Sequence, residues 1–140
     1  MLPRRRVFMD TSFFIAINNT RDSHHAKALA LDAELADDRA AMILHSGIVL
    51  EIGDGYSRAN RREKGLEILQ GMAGDESYSV FSIDDSLLRR GIELWAQRSD
   101  KDWGLTDCIS FVLMRDLRIT DVLTADVHFV QAGFRALLLE

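Results

Sequence analysis

Between Leu105 and Met114 every residue is apolar except Thr106, Asp107 and Ser110. A helix of that profile offers almost no solvent face, so other layers must cover it nearly all round. Asp107 falls in its first turn, with Thr106 or a neighbour as the cap, where the helix macrodipole favours a negative charge. A carboxylate at the mouth of a buried helix is either a cap or part of a site, and the other acids of the chain bear on which.

The remaining pattern alternates short apolar runs with amphipathic ones. Val7–Met9 reads as a buried strand that ends at Asp10, and Thr11 and Ser12 open a helix that runs to Ile17 and stops at Asn18 and Asn19. His24–Asp37 carries Ala28, Leu31 and Leu35 at helical spacing. His24 and His25 are adjacent and so point to different helix faces, which argues against a zinc pair. Ala40–His45 is a second strand, and Ser46 caps a helix that runs to about Arg58. Arg61–Met72 follows as an amphipathic helix, then a strand over Tyr78–Ile83. Asp84 or Asp85 caps a helix whose core face is predicted to be Leu88, Ile92 and Trp95. Ser99–Gly104 is a polar loop into the Asp107 helix. Ile119–Ala125 is a strand that meets another acid, Asp126; Val127–Ala132 is a short turn or helix, and Phe134–Leu139 a last strand. Strands alternating with helices predict an α/β fold, a three-layer α/β/α arrangement around a mostly parallel sheet.

At 140 residues the chain suits one domain over 1–140, and one proline with nine glycines leaves no room for a long linker. The single cysteine, Cys108, excludes an intramolecular disulfide and reads as a core residue. No apolar run reaches the ~18 residues of a membrane span. The three arginines of Met1–Arg6 precede only a short apolar run, so no signal peptide is expected and the expected location is the cytoplasm. A net charge of −5 argues against unassisted nucleic-acid binding and agrees with a carboxylate-rich site that needs a divalent cation. Arg4–Arg6 and the set Arg58, Arg61, Arg62 and Lys64 are the local basic clusters. Phosphate-binding GxxxxGK[ST] and GxGxxG loops and the GxSxG nucleophile elbow are absent.

Asp10 and Asp126 both follow short apolar strands, and in a parallel sheet such strand ends share one edge, where ligands bind. Asp10 alone reads equally as a helix cap. Glu51 sits among the aliphatics Ile48, Val49, Leu50 and Ile52; it must either reach the surface or find a partner, because burying an unpaired carboxylate is costly. Asp10, Glu51, Asp107 and Asp126 at one edge would repel one another strongly. A hard divalent cation, Mg²⁺ or Mn²⁺, would relieve that repulsion and equip the site for displacement at phosphorus.

Four segments resemble the PIN domain family, and in particular its VapC-like toxin ribonucleases. They are Val7-Phe8-Met9-Asp10-Thr11-Ser12, then Val49-Leu50-Glu51-Ile52, then Asp102-Trp103-Gly104-Leu105-Thr106-Asp107-Cys108, and Leu123-Thr124-Ala125-Asp126-Val127-His128-Phe129 with Ala132-Gly133-Phe134 behind it. The resemblance implies a PIN-like fold and a Mg²⁺- or Mn²⁺-dependent endoribonuclease, with Asp10, Glu51, Asp107 and Asp126 as the metal-holding catalytic acids. It implies attack of an activated water on the scissile phosphate of RNA, leaving 5′-phosphate and 3′-hydroxyl ends. Thr11 or Ser12 would bond a water or phosphate near the metal, and Asp102 is an outer candidate. His128 is expected at the margin, in packing or on the surface. A homodimer and a cognate antitoxin protein are the implied partners. The alternatives are an inactive PIN-fold module that binds RNA or protein, or another α/β metal-dependent phosphohydrolase built on Asp10-Thr11-Ser12.

Overall fold

The computed structural model describes residues 3–140; Met1 and Leu2, at the head of the basic N-terminal stretch, lie outside the described residues. The chain begins with β1 (Arg6–Met9), whose Val7, Phe8 and Met9 are fully buried. A strand covered on both faces has to be apolar at consecutive positions, and this run is. Then come α1 (Thr11–Asn18), α2 (His25–Asp37), β2 (Ala41–His45), α3 (Ser46–Gly55), α4 (Arg62–Ala73) and β3 (Tyr78–Phe81). The second half carries α5 (Asp85–Gln97), α6 (Leu105–Leu117), β4 (Asp121–Leu123), α7 (Val127–Gln131) and β5 (Arg135–Ala136), with a 3₁₀ turn at Leu137–Leu139.

The five strands lie in the order β3-β2-β1-β4-β5, and every neighbouring pair is parallel. From β1 the chain winds outward through β2 and β3, then returns to add β4 and β5 on the other side. Crossovers between parallel strands are right-handed, so this reversal sends the two sets of helices to opposite faces. The helix contacts divide accordingly: α1 packs on α2 and α3, and α3 on α4, whereas α6 packs on α5 and α7. The expected three-layer architecture is therefore present. The order reverses between β1 and β4, which opens a crevice at their carboxyl ends.

The apolar run of α6 is covered as its composition requires: Cys108, Ile109, Ser110, Phe111, Leu113 and Met114 are buried. Phe111 is a hub. Its ring lies 5.0 Å from Phe129 of α7 at 90°, and 4.9 Å from Trp103. The indole of Trp103 donates to Gln131 (3.0 Å), which ties the loop before α6 to α7. Two helix starts are thus held by one aromatic cluster.

Several predicted elements are shorter or differently phased. The helix from Ser46 ends at Gly55 rather than near Arg58, β4 keeps only Asp121–Leu123, and the last strand shrinks to two residues before a 3₁₀ turn. The strand predicted over Tyr78–Ile83 ends at Phe81 and lies at the sheet edge, where its outer residues are exposed. The face assigned to α5 is wrong. Leu88, Ile92 and Trp95 are 41%, 43% and 50% exposed, while Leu87 and Gly91 are buried. The reason is Gly91, which brings α5 so close to α6 that an added Cβ would stand 2.5 Å from Cγ1 of Ile109. That close approach turns the bulkier apolar stripe outward.

Gly91→Ala should therefore destabilise the protein by about 1–3 kcal/mol in urea unfolding. At Gly71 a Cβ meets nothing within 4 Å, so Gly71→Ala should stabilise it, by up to about 1 kcal/mol.

Candidate active site

Asp10 continues β1 by one residue. Its backbone N–H donates to the carbonyl of Leu123 at 3.2 Å, so it lies beside the end of β4. The same residue precedes α1 with extended geometry, yet its side chain makes no capping bond. The carboxylate turns instead to β4. Thr124 Oγ1 donates to Oδ2 at 2.7 Å and Ser12 Oγ donates to the same oxygen at 3.0 Å. Each hydroxyl accepts a backbone N–H in turn, Thr124 from Asp126 and Ser12 from Ala125. A buried carboxylate, only 7% exposed, is thereby fixed in one rotamer by two hydroxyls that are themselves held.

The other acids arrive from three helices. Glu51 on α3 accepts from Thr11 Oγ1 of α1 at 2.8 Å. Asp107 stands in the first turn of α6 and accepts from the N–H of Gly104 at 3.1 Å. Gly104, not Thr106, is the cap residue, so the helix begins at Leu105. Asp126 caps α7 and accepts from the N–H of His128 at 2.9 Å. His128 Nδ1 then sits 3.2 Å from Asp107 Oδ2 and 3.3 Å from Asp126 Oδ1. One ligand atom from each of Asp107, Asp126 and His128 falls within 4.8 Å of the others.

The electrostatics record the crowding. Burial pushes Asp10 above the ordinary carboxylate range; the bonds from Thr124 and Ser12 oppose it, and the charge of Asp107 adds to it. Glu51 is raised by burial, lowered by the bond from Thr11, and raised further by Asp10, Asp107 and Asp126. Asp107 is raised by burial, relieved by the Gly104 N–H, raised by Asp126 and relieved by His128. Among the described residues no lysine or arginine lies within ion-pair distance of any of the four acids; His128 alone approaches them. Asp107, Asp126 and His128 form a set that could hold a metal ion, with Asp10 and Glu51 coupled to it electrostatically.

The family model of the PIN domain matches residues 7–135, a span that contains all four acids. The chain belongs to the PIN domain family. Among curated PIN relatives it is similar to the 23S rRNA-specific endonuclease VapC20 of Mycobacterium tuberculosis, with 25% identity over 130 residues covering 91% of this chain and 95% of the relative. The crystal structure of that VapC20, described as a sarcin-ricin loop cleaving toxin, superposes with a TM-score of 0.79 at 20% identity, covering 92% and 96% of the two chains. VapBC2 of Rickettsia felis, solved bound to a DNA fragment from its promoter, gives a TM-score of 0.66 at 15% identity over 91% and 93%. The structural likenesses establish the shared PIN fold.

The structure brings Asp10, Glu51, Asp107 and Asp126 to one edge of the PIN sheet. Thr11 and Ser12 are also there, but their hydroxyls are spent on Glu51 and Asp10. Asp102 is exposed in the loop before α6, and no hydrogen bond ties it to the cluster. His128 is not marginal, since its ring bridges two of the acids. Thr124, fully buried, was not singled out from the sequence either, nor was the buried pair His45 and Ser110. Gly47 N–H donates to His45 Nδ1, so Nε2 carries the proton and donates to Ser110 Oγ at 2.8 Å, and Ser110 donates to the carbonyl of Thr106. This chain joins the end of β2 to the first turn of α6, beside Asp107. Burial holds His45 at about 4, so it stays neutral. The available signal was a polar residue within an apolar run, which must find a partner.

A raised carboxylate means that the folded state holds its proton more tightly than the unfolded chain, so metal-free stability is lost as pH rises from the ordinary value through the folded one. Glu51→Gln keeps an acceptor for Thr11 and removes the charge. In thermal melts without metal the variant should exceed wild type by a few degrees at pH 7–8. The gap should close as pH falls toward the ordinary glutamate value of 4.5.

Proposed function

We propose that this chain is an endoribonuclease that hydrolyses RNA phosphodiester bonds with Mg²⁺ or Mn²⁺, and that it is the toxin of a type II toxin–antitoxin pair. The observation that carries this reading is the cluster of Asp107, Asp126 and His128 at the reversal point of a parallel sheet, with Asp10 and Glu51 electrostatically coupled to it and, among the described residues, no lysine or arginine in ion-pair contact with any of these acids. The printed activity of the VapC20 relative, a 23S rRNA-specific endonuclease, supports the reaction class. The VapBC2 likeness supports a protein partner.

In this reading Asp10, Glu51, Asp107 and Asp126 hold the cation. When bound, the cation makes water more acidic and offsets the charge that builds on phosphate. Asp10 is the fixed ligand, since Thr124 and Ser12 lock it. Thr11 steers Glu51 across from α1, and His128 holds Asp107 and Asp126 at a set separation. With a cation held by these residues, the net charge of −5 would be compatible with RNA binding. An antitoxin, a homodimer, a single nuclease unit over 1–140 and action in the cytoplasm complete the proposal. An active phosphohydrolase on Asp10-Thr11-Ser12 is disfavoured, because the Ser12 hydroxyl is occupied by Asp10 and Ala125.

Asp10→Asn should abolish Mg²⁺-dependent cleavage of total RNA while the circular dichroism spectrum and melting stay those of a folded protein. Unchanged cleavage by the purified variant would remove Asp10 from the mechanism. Thr124→Val, close to isosteric, should lower Mn²⁺ affinity by ~10–100-fold in calorimetry, as loss of a ligand-orienting partner does. Wild-type affinity would mean that Asp10 orients itself.

A further inference from the structure

Beside the acidic cluster, on the flank formed by α1, α3 and the start of α4, lies a pocket of about 200 Å³. Thr11 and Glu51 line the pocket, and Glu51 is coupled to the other acids, so the pocket adjoins the cluster across the 2.8 Å bond between Thr11 and Glu51. The floor is apolar, from Phe14, Ile52 and the buried Tyr56. Two polar side chains stand at the rim, Asn19 and Arg61.

Within its basic cluster, only Arg61 both lines this pocket and leaves its guanidinium unpaired among the described residues. Lys64 pairs with Glu67 and Arg62 donates to the carbonyl of Ser57. Arg61 forms no ion pair and no side-chain hydrogen bond among the described residues. Its Cζ instead lies 4.8 Å from the centroid of the Tyr56 ring. Tyr56 in turn is held by close packing on Gly65, where an added Cβ would stand 2.6 Å from Tyr56 Cβ. The guanidinium is thus pre-positioned, planar and with its donors unspent. By contrast Arg5 is paired with Glu34 and Asp38 and Arg6 donates to Leu117, at the far, amino-terminal end of the sheet.

We propose that this pocket receives one nucleobase of the RNA, next to the bond that is cut, with the base stacked against the Arg61 guanidinium and the apolar floor. This rests on the nuclease reading above and adds a specificity subsite to it. The size fits, since the volume is below the ~300–1,000 Å³ of pockets for drug-sized ligands and suits a single planar ring system. The chemistry fits as well. Single-stranded RNA is recognised by splaying out a base, stacking it on an aromatic ring or a guanidinium plane, and bonding its polar edge. Asn19 Oδ1 already accepts from the N–H of Arg21, and its Nδ2 supplies a donor for such an edge. The position also fits, because a nucleotide with its base here has its phosphate beside Glu51, and Arg61 supplies a cation to a substrate the acids would otherwise repel.

The probes are the four nucleoside 5′-monophosphates, which contain no internucleotide bond, with ribose 5-phosphate as the control without a base. Binding is read on wild-type protein from the methyl resonances of Ile15 and Ile52. At least one mononucleotide should shift both, and ribose 5-phosphate should shift neither. Arg61→Ala should weaken that binding roughly tenfold, the scale of one lost stacking contact. Arg61→Lys, which keeps the charge but not the plane, should fail to restore it. On RNA, Arg61→Ala should raise KM by a similar factor with kcat near wild type. Three results would overturn the subsite. These are methyl shifts from ribose 5-phosphate equal to those from nucleotides, full rescue by Arg61→Lys, and methyls unmoved by every nucleotide, as when the pocket seats a protein segment instead. A failure of the nuclease reading looks different: wild-type protein leaves RNA intact with Mg²⁺ or Mn²⁺ while the mononucleotides still bind.

Discussion

Two hydroxyls donating to one carboxylate oxygen organise this molecule. Thr124 and Ser12 both point at Asp10 Oδ2, and each takes a backbone N–H from the segment that follows β4. The cluster stitches β1 to β4 where the sheet reverses its winding, and no ladder extends beyond that point. It does for the crevice what a cap does for a helix, giving the backbone N–H groups of Ala125 and Asp126 partners. Asp126 follows directly, because its own N–H is one of those the cluster binds. The position of the most buried acid and that of a more exposed one are set by the same few bonds.

Crowding like charges at one edge costs stability, and the fold offsets part of that cost without a cation. Asp126 caps α7 and Asp107 sits in the first turn of α6, so two of the acids face the positive ends of helix dipoles, whereas Asp10 is relieved by Thr124 and Ser12. The Gly104 N–H and the His128 ring relieve Asp107 further. Glu51 has no such terminus; it lies along α3 and depends on Thr11. What remains is a site built to be left negative, with a pre-formed arrangement of oxygens. Such an arrangement carries its repulsion in the folded state, and within it Asp107, Asp126 and His128 could hold a metal ion.

The site also has two unlike flanks. Behind α6 and α7 lies a buried aromatic cluster, Trp103, Phe111 and Phe129, which holds two helix starts in register. Toward α3 and α4 the wall opens into a pocket with an uncommitted arginine at its rim. Rigid support on one side and an accessible recess lined by Arg61 and Glu51 on the other make the two flanks of this edge unequal. The exposed stripe of Leu88, Ile92 and Trp95 belongs to neither flank; it is the consequence of the Gly91 contact, which fixes the phase of α5.

By itself the sequence determined the layers and marked the acids as candidates. Consecutive apolar positions at Val7–Met9 and the covered run after Leu105 admit only a sheet buried on both faces, and strand-end acids in a parallel sheet have to share an edge. Only the tertiary structure decided the phase of α5, because a single glycine contact outweighs the apolar pattern of the helix that contains it. It decided the role of His128, whose ring reaches Asp107 across 21 residues only because Phe111 and Phe129 pack α7 against α6. It also decided that Thr124 and Ser12 serve Asp10, since hydroxyls 112 residues apart carry no mark of each other along the chain. Periodicity records which side of an element is buried; the partner that meets a lone polar group is set by packing between elements, and no local pattern encodes it.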